Sequence, residues 1–72
     1  MSKLPRLSGR DIIKALFRIG FRVTRQRKHV VMRHADGRRV TVPLHPELDR
    51  GTLIAIIKQA GLTREEFLRL VV

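Results

Sequence analysis

The sequence predicts an α+β fold in which a three-stranded antiparallel sheet carries helices on one face. Apolar residues recur at helical spacing near both ends of the chain, whereas the middle third alternates between apolar and polar residues. Asp36-Gly37 lies between two alternating segments and favours a hairpin turn. The predicted order is α-β-β-β-α plus a short terminal helix, in a single domain over residues 1–72 whose first seven residues form an N-terminal tail.

The first helix is predicted over Gly9–Ile19. Ser8 is a favourable N-cap, Asp11 places an acid in the first turn, and Gly20 suits the position that ends a helix. The apolar stripe of this helix comprises Ile12, Ile13, Leu16 and Phe17.

Three strands are predicted next, at residues 21–26, 29–34 and 39–43. Arg27 and Lys28 form the first turn, and Pro43 ends the third strand because proline lacks a backbone donor. Successive side chains of a strand point to opposite faces, so one face is apolar and the other is exposed to solvent. The exposed face is predicted to carry Arg22, Thr24, Gln26, His29, Arg33, Arg39 and Thr41.

Two further helices are predicted after a loop that contains Pro46. Asp49 is the expected cap of the first of them, and Gly61 ends it. Thr63 and Glu66 have the spacing of a capping box, which predicts the short terminal helix. The apolar residues of the longer helix are Leu53, Ile54, Ile57 and Ala60.

The charge distribution favours a polyanion, and nucleic acid in particular, as the partner. The chain has 16 Lys and Arg residues against 6 Asp and Glu, a formal net charge of +10. Residues 18–39 contain eight of these cations and one acid, Asp36, which is more positive charge than solubility requires. The three aromatic residues are all Phe and are expected in the core, so contacts to phosphate and RNA shape are favoured over base stacking.

The composition excludes several classes of protein. Without Cys, the chain has no disulfide, no Cys-ligated zinc site and no thiol nucleophile. A chain of 72 residues is too short to enclose a complex cofactor, and it has no Gly-x-x-x-x-Gly-Lys loop, so no cofactor is expected. The N-terminus lacks the apolar core of a signal peptide, and no apolar run approaches the ~20 residues of a membrane span. We therefore expect a soluble cytoplasmic protein, which weak self-association or a partner protein would help to stabilise.

The three histidines are the candidates for acid–base chemistry, since imidazole exchanges protons near neutral pH. His29 directly follows Arg27 and Lys28, where positive charge is densest. RNA cleavage by internal attack needs a group that accepts the 2′-OH proton and cations that stabilise the phosphorane, and these residues meet that minimum. Alternatively, His29 is a surface residue that begins a strand. His45, in the loop at residues 43–46, either braces that loop or contacts a phosphate.

A metal site is not expected. His29 and His34 are five residues apart on one predicted strand, and an odd separation places two side chains on opposite faces. His45 joins either of them only if the loop brings it there.

Motifs spread over residues 5–71 resemble those of the HicA-like toxins. The resemblance rests on Leu7-Ser8-Gly9-Arg10-Asp11, Gly20-Phe21, Arg25-Gln26, Asp36-Gly37, V-T-V-P-L-H at 40–45, Gly51-Thr52-Leu53, Gln59-Ala60-Gly61-Leu62 and Glu66-Phe67.

The resemblance implies an αβββα fold like that of a double-stranded-RNA-binding domain. It also implies a metal-independent mRNA-cleaving toxin that a HicB-like antitoxin binds and silences. By resemblance, His29 occupies the place of the catalytic histidine. Arg25, Arg27 and Lys28 would then hold the phosphate.

The chain departs from the family at this position. The family usually has Gly-Ser-His, whereas this chain has Arg27-Lys28-His29 and is one residue shorter. Two hypotheses follow from the departure: an active variant that grips phosphate by charge, or an inactive module that only binds double-stranded RNA. A third hypothesis is a basic subunit that binds only a partner protein.

Overall fold

The structure, a computed structural model, describes residues 5–71. In this range three helices and three strands follow one another in the order α-β-β-β-α-α. Their bounds are Gly9–Arg18 (α1), Arg22–Gln26 (β1), His29–Arg33 (β2), Arg39–Pro43 (β3), Arg50–Ala60 (α2) and Arg64–Val71 (α3). None of the helices found in residues 5–71 is long and apolar enough to cross a membrane.

One antiparallel sheet, with strand order β1-β2-β3, supports the core on one of its faces. The core-facing residues of β2, the central strand, and of β3 are Val30, Met32, Val40 and Val42, each at most 1% exposed. These side chains pack against buried apolar residues of all three helices. The predicted α+β class, with helices on one face of a three-stranded antiparallel sheet, is confirmed.

The helices begin at the caps that the sequence predicts. The Asp11 backbone N–H donates to Ser8 Oγ (3.1 Å), and the Ser8 N–H donates to the Asp11 carboxylate (3.0 Å). Asp49 accepts a hydrogen bond from a backbone N–H in the first turn of α2 (2.7 Å). Thr63 and Glu66 form the same reciprocal pair at the start of α3. These bonds satisfy donors that a helix start leaves unpaired.

The buried sides of the helices differ from the prediction at two positions. Phe17 is 55% exposed, because it lies five residues after the buried Ile12 and five helical steps turn a side chain well away from the starting side. In α2, Ile56 takes the buried position that was expected for Ile54, since Ile56 follows Leu53 by three residues and so stays on the same side of the helix.

A β-bulge in β1 changes which side chains share a face of the sheet. One extra residue of β1 lies just before Arg25, so Arg25 pairs with Val31 and Gln26 pairs with Val30. The alternation of side chains is shifted by one residue beyond the bulge. Arg25 therefore lies on the face away from the helices. The prediction that Gln26 lies there is wrong, because its partner Val30 faces the core.

The turn between β2 and β3 connects the sheet to the ends of two helices. His34 Nε2 lies 2.9 Å from the carbonyl oxygen of Ile19, at the end of α1. The Arg38 guanidinium donates to the carbonyl oxygen of Ala60, the last residue of α2. Asp36 accepts hydrogen bonds from the Arg38 backbone N–H (3.0 Å) and Nε (2.8 Å). The turn thus fixes both helix ends against the sheet.

The outer edge of β3 is covered by α2. The Thr41 backbone N–H donates to Gln59 Oε1 across 2.9 Å. Pro43, two residues further along the strand, has no N–H to donate.

Candidate nucleic-acid interface

The sheet face that points away from the helices is basic, and we call it the open face. Its residues are Thr24 and Arg25 of β1, His29, Val31 and Arg33 of β2, and Arg39, Thr41 and Pro43 of β3. Three of them, Arg25, Arg33 and Arg39, form what we call the arginine cluster. With Thr24 and Val31 they line a shallow depression of about 260 Å³.

The arginine cluster has no compensating negative charge beside it. All three side chains are exposed, and none of them forms an ion pair within residues 5–71. Arg33 and Arg39 are direct partners across β2 and β3, and like charges opposite each other destabilise a sheet. An anion bound between them would relieve this repulsion.

His29 lies at the start of β2, on the open face. It is exposed and is paired with Pro43 of β3. Arg27 and Lys28, both exposed, form the two-residue turn before it. The turn is closed by the Arg27 backbone N–H, which donates to the His29 carbonyl oxygen (3.2 Å). The imidazole of His29 is therefore open to solvent, directly beside two cations.

The other two histidines occupy different environments. In His34, Nδ1 accepts a hydrogen bond from the Asp36 N–H (3.2 Å) and Nε2 faces the Ile19 carbonyl, so the protein engages both ring nitrogens. His45 is exposed in the loop after β3, where it lines a separate depression with Ser8 and Arg10. Neither histidine belongs to the arginine cluster.

Arg22 is drawn away from the cluster by contacts at the end of α1. Its guanidinium lies 4.2 Å from the centre of the Phe17 ring and donates to the carbonyl oxygens of Phe17 (3.3 Å) and Phe21 (3.0 Å). Strand register pairs Arg22 with Arg33, yet its charged group is occupied elsewhere. Of the predicted RNA-binding residues, the structure brings Arg25, Arg33 and Arg39 together and places Arg22 and His45 apart from them.

Four of the acidic residues lie away from the open face and have lowered pKa values. Hydrogen bonds from backbone N–H groups are the main cause: that of Ser8 lowers the pKa of Asp11, and that of Arg38 lowers the pKa of Asp36. In the same way, the Thr52 N–H lowers the pKa of Asp49, and the Thr63 N–H lowers the pKa of Glu66. These carboxylates are consequently ionised at neutral pH and engaged locally.

Within residues 5–71, no group of three or more His, Cys, Asp or Glu side chains is arranged to hold a metal ion.

Sequence reasoning missed the depression between the strands, because the bulge that puts Arg25 on the same face as Arg33 and Arg39 is not marked by a glycine. Thr24 at this position donates from its hydroxyl to the Val31 carbonyl oxygen (3.3 Å), and this bond holds the bulged segment against β2. A polar β-branched residue is so common in ordinary strands that it gives no usable signal.

Comparison with known proteins assigns the chain to a family. The family model described as "HicA toxin of bacterial toxin-antitoxin" matches residues 9–62, about three quarters of the chain. The match runs from α1 to just beyond α2 and includes the whole sheet. No curated protein matches the chain. The chain thus belongs to the HicA toxin family of bacterial toxin–antitoxin systems, in which a toxin is paired with an antitoxin.

Proposed function

We propose that this toxin is a metal-independent endoribonuclease that cleaves mRNA and uses His29 as its general acid and base. One observation carries the proposal: an exposed imidazole directly follows Arg27 and Lys28 on the basic face of the sheet. Neither cation forms an ion pair within the described residues. Both are therefore available to a phosphate group.

The chemistry needs few groups. Neutral His29 would accept the proton of a ribose 2′-OH as its oxygen attacks the adjacent phosphorus. Arg27 and Lys28 would stabilise the negative charge of the phosphorane. Protonated His29 would then return a proton to the departing 5′-oxygen. The products are a 2′,3′-cyclic phosphate and a free 5′-OH, and the histidine ends the cycle neutral.

RNA binding would depend chiefly on phosphate contacts. Arg25, Arg33 and Arg39 line the depression on the open face, which supports their assignment to the RNA backbone. Arg22 and His45, which lie away from this depression, would contribute less. We propose that the antitoxin is HicB-like and covers this basic surface, and that its contacting surface is acidic.

The first experiment compares the purified wild type with His29→Ala on labelled single-stranded RNA in EDTA. We expect wild-type cleavage and a loss of at least about 100-fold in the variant, because general acid–base catalysis contributes ~10²–10⁴. RNA affinity should be retained. His34→Gln serves as the matched control, because both ring nitrogens of His34 are engaged within the fold.

Each outcome assigns a function. Equal cleavage by wild type and His29→Ala would show that His29 is not the catalytic group. Binding of RNA without cleavage by either protein would identify a double-stranded-RNA-binding-like module on a toxin fold. Failure to bind RNA at all would leave a subunit whose only partner is another protein.

A further inference from the structure

The open face presents its cations at different distances from His29 along β2. His29, Val31 and Arg33 are alternate residues of this strand and share the face. At a rise of about 3.3 Å per residue, the rows that they define are ~7 Å apart, and His29 and Arg33 are separated by about 13 Å. Each row extends sideways to the paired residues of the neighbouring strands.

A phosphate group bound at His29 is out of reach of the farthest row. Side chains of a strand stand roughly perpendicular to the sheet, so we take the backbone spacing as the approximate spacing between the imidazole and the charged ends of Arg33 and Arg39. One phosphate cannot bridge ~13 Å. The spacing between rows is instead comparable to the distance between successive phosphates of an extended RNA strand.

The middle row contains one cation, and the farthest row contains three. The guanidinium of Arg22 is held at Phe17, which leaves Arg33 and Arg39 as a pair. Arg25 is paired with Val31 in the middle row, where the bulge places it. Arg33 and Arg39 face each other in the farthest row, and neither forms an ion pair within residues 5–71. A like-charged pair in direct register lowers sheet stability unless an anion lies between the two groups. The farthest row thus offers a second place for a phosphate, apart from the one at His29.

We propose that Arg33 and Arg39 form a phosphate subsite two phosphates away from the one that His29 acts on, with Arg25 at the phosphate between them. The RNA strand then runs along β2 in extended, single-stranded form. A duplex fits less well, because the phosphates of its strands curve away from a flat face. The inference rests on the proposed function and deepens it, since it defines the shortest good substrate as one with three phosphates.

The test uses 2′-O-methyl oligouridines of two, three, four and six nucleotides, which carry one, two, three and five phosphates. They have no free 2′-OH, so the wild-type chain binds them without cleaving them. We expect affinity, followed by NMR titration, to rise with each nucleotide up to four and little beyond. The slope of log K against log salt should reach about −2 for the tetranucleotide, from −0.7 per phosphate contacted.

Two double variants are compared, and each loses two positive charges at a different place in the fold. Arg33→Gln with Arg39→Gln should weaken the tetranucleotide about tenfold, the cost of losing one charge-assisted contact, and leave the dinucleotide unchanged. Arg50→Gln with Arg64→Gln removes two exposed charges from the helices and should change both affinities little. Unfolding of the Arg33/Arg39 variant should need at least as much denaturant as the wild type, because a repulsive pair is gone.

Two results would overturn the proposal: equal weakening of the dinucleotide and the tetranucleotide by the Arg33/Arg39 variant, or equal effects of the two double variants. Duplex RNA that binds more tightly than the single strand would also contradict it. With cleavable RNA, the Arg33/Arg39 variant should raise KM and leave kcat unchanged. If the wild type cleaves nothing, the proposed function fails, while the binding series still decides the subsite.

Discussion

The three histidines of this chain have the same chemistry but different availability. His29 is exposed at the start of a strand, whereas both ring nitrogens of His34 are engaged by backbone groups. The ring of His34 also packs edge-on against the ring of Phe21, with ring centroids 5.2 Å apart. A histidine held in this way stabilises the fold and has no nitrogen free for substrate.

Replacement of His34 should therefore affect stability and not catalysis. His34→Phe keeps a ring beside Phe21 but leaves the Ile19 carbonyl and the Asp36 N–H without their partner. We expect the free energy of unfolding to fall by about 2 kcal/mol, since each of the two lost hydrogen bonds has a usual net value of ~1 kcal/mol. Urea denaturation measures the loss. His34→Gln, whose amide can still donate to the Ile19 carbonyl, should lose less.

A cleavage assay of the same variants tests whether His34 takes part in catalysis. If folded His34→Phe cleaved RNA as slowly as His29→Ala, then His34 would take part in the chemistry and His29 would lose its unique place.

At this scale the sequence indicates candidate residues by type, and the structure corrects some of their positions. His29 and the basic residues beside it remain candidates because imidazole and cations are recognisable by type. Alternation predicts Gln26, and not Arg25, on the open face, whereas the structure has Arg25 there. The prediction fails because alternation assumes an uninterrupted strand and β1 contains a bulge. Arg22 was placed on the open face by alternation, yet its guanidinium lies over Phe17. A long side chain follows its best local contact, and strand periodicity carries no information about that contact.

Two glycines at helix starts differ in the space around them. A Cβ on Gly9 would overlap the carbonyl oxygen of Pro43, because α1 begins directly against the end of β3. On Gly51, in the first turn of α2, the nearest atom to a Cβ would be Asp49 Oδ1, at an ordinary 3.6 Å.

Substitution of these glycines by Ala should have opposite effects. Gly9→Ala should lower the free energy of unfolding by about 2 kcal/mol, since the clash displaces backbone. Gly51→Ala should raise it by ~0.5–1 kcal/mol, because Ala is the better helix former and the site is open. Thermal and urea unfolding of the two variants provide the comparison. A destabilised Gly51→Ala, or a stable Gly9→Ala, would contradict this account of the α1–β3 contact.

The elements themselves were predictable because several local signals agreed. The caps at Ser8, Asp49 and Thr63 and the Asp36-Gly37 turn all lie where the sequence placed them. Each is a short-range effect, in which a side chain bonds to a backbone group a few residues away. The bulge in β1 depends on pairing with another strand, and no short-range signal reports it.

At the scale of the molecule, the acidic residues are mostly engaged in local hydrogen bonds, whereas the basic residues of the open face are exposed. Four of the six acids cap helix starts or brace a turn, and hydrogen bonds from backbone N–H groups lower their pKa values. The cations of the open face form no ion pair within the part of the chain that the structure describes, residues 5–71. These cations are therefore available to the polyanion that we propose as the substrate.

The lowered pKa values predict loss of stability in acid. A carboxyl whose pKa is lower in the folded chain stabilises the fold fully above its ordinary value, 3.8 for Asp and 4.5 for Glu. That contribution is lost as the pH falls through the lowered value. We expect urea midpoints to be level near neutral pH and to fall below about pH 4.5. Growing net positive charge acts in the same direction.

A cap variant separates these causes. Asp49→Asn keeps an oxygen that can cap α2 but has no carboxyl proton to gain, so its urea midpoint should fall less steeply in acid than that of the wild type. Identical acid curves for the two proteins would show that general charge repulsion, and not the capped carboxylates, sets the acid limit.

The contact between Gln59 and the Thr41 N–H also limits how copies of this chain can assemble. Backbone N–H groups on one side of a strand recur at every second residue, so Arg39, Thr41 and Pro43 share the outer side of β3. One of these groups is bonded to a side chain and another does not exist. Pairing with another strand at this edge would have to break the Gln59 contact and would still lack a donor at Pro43. The fold therefore favours edge pairing through β1, which joins two copies into a closed pair, over growth from β3.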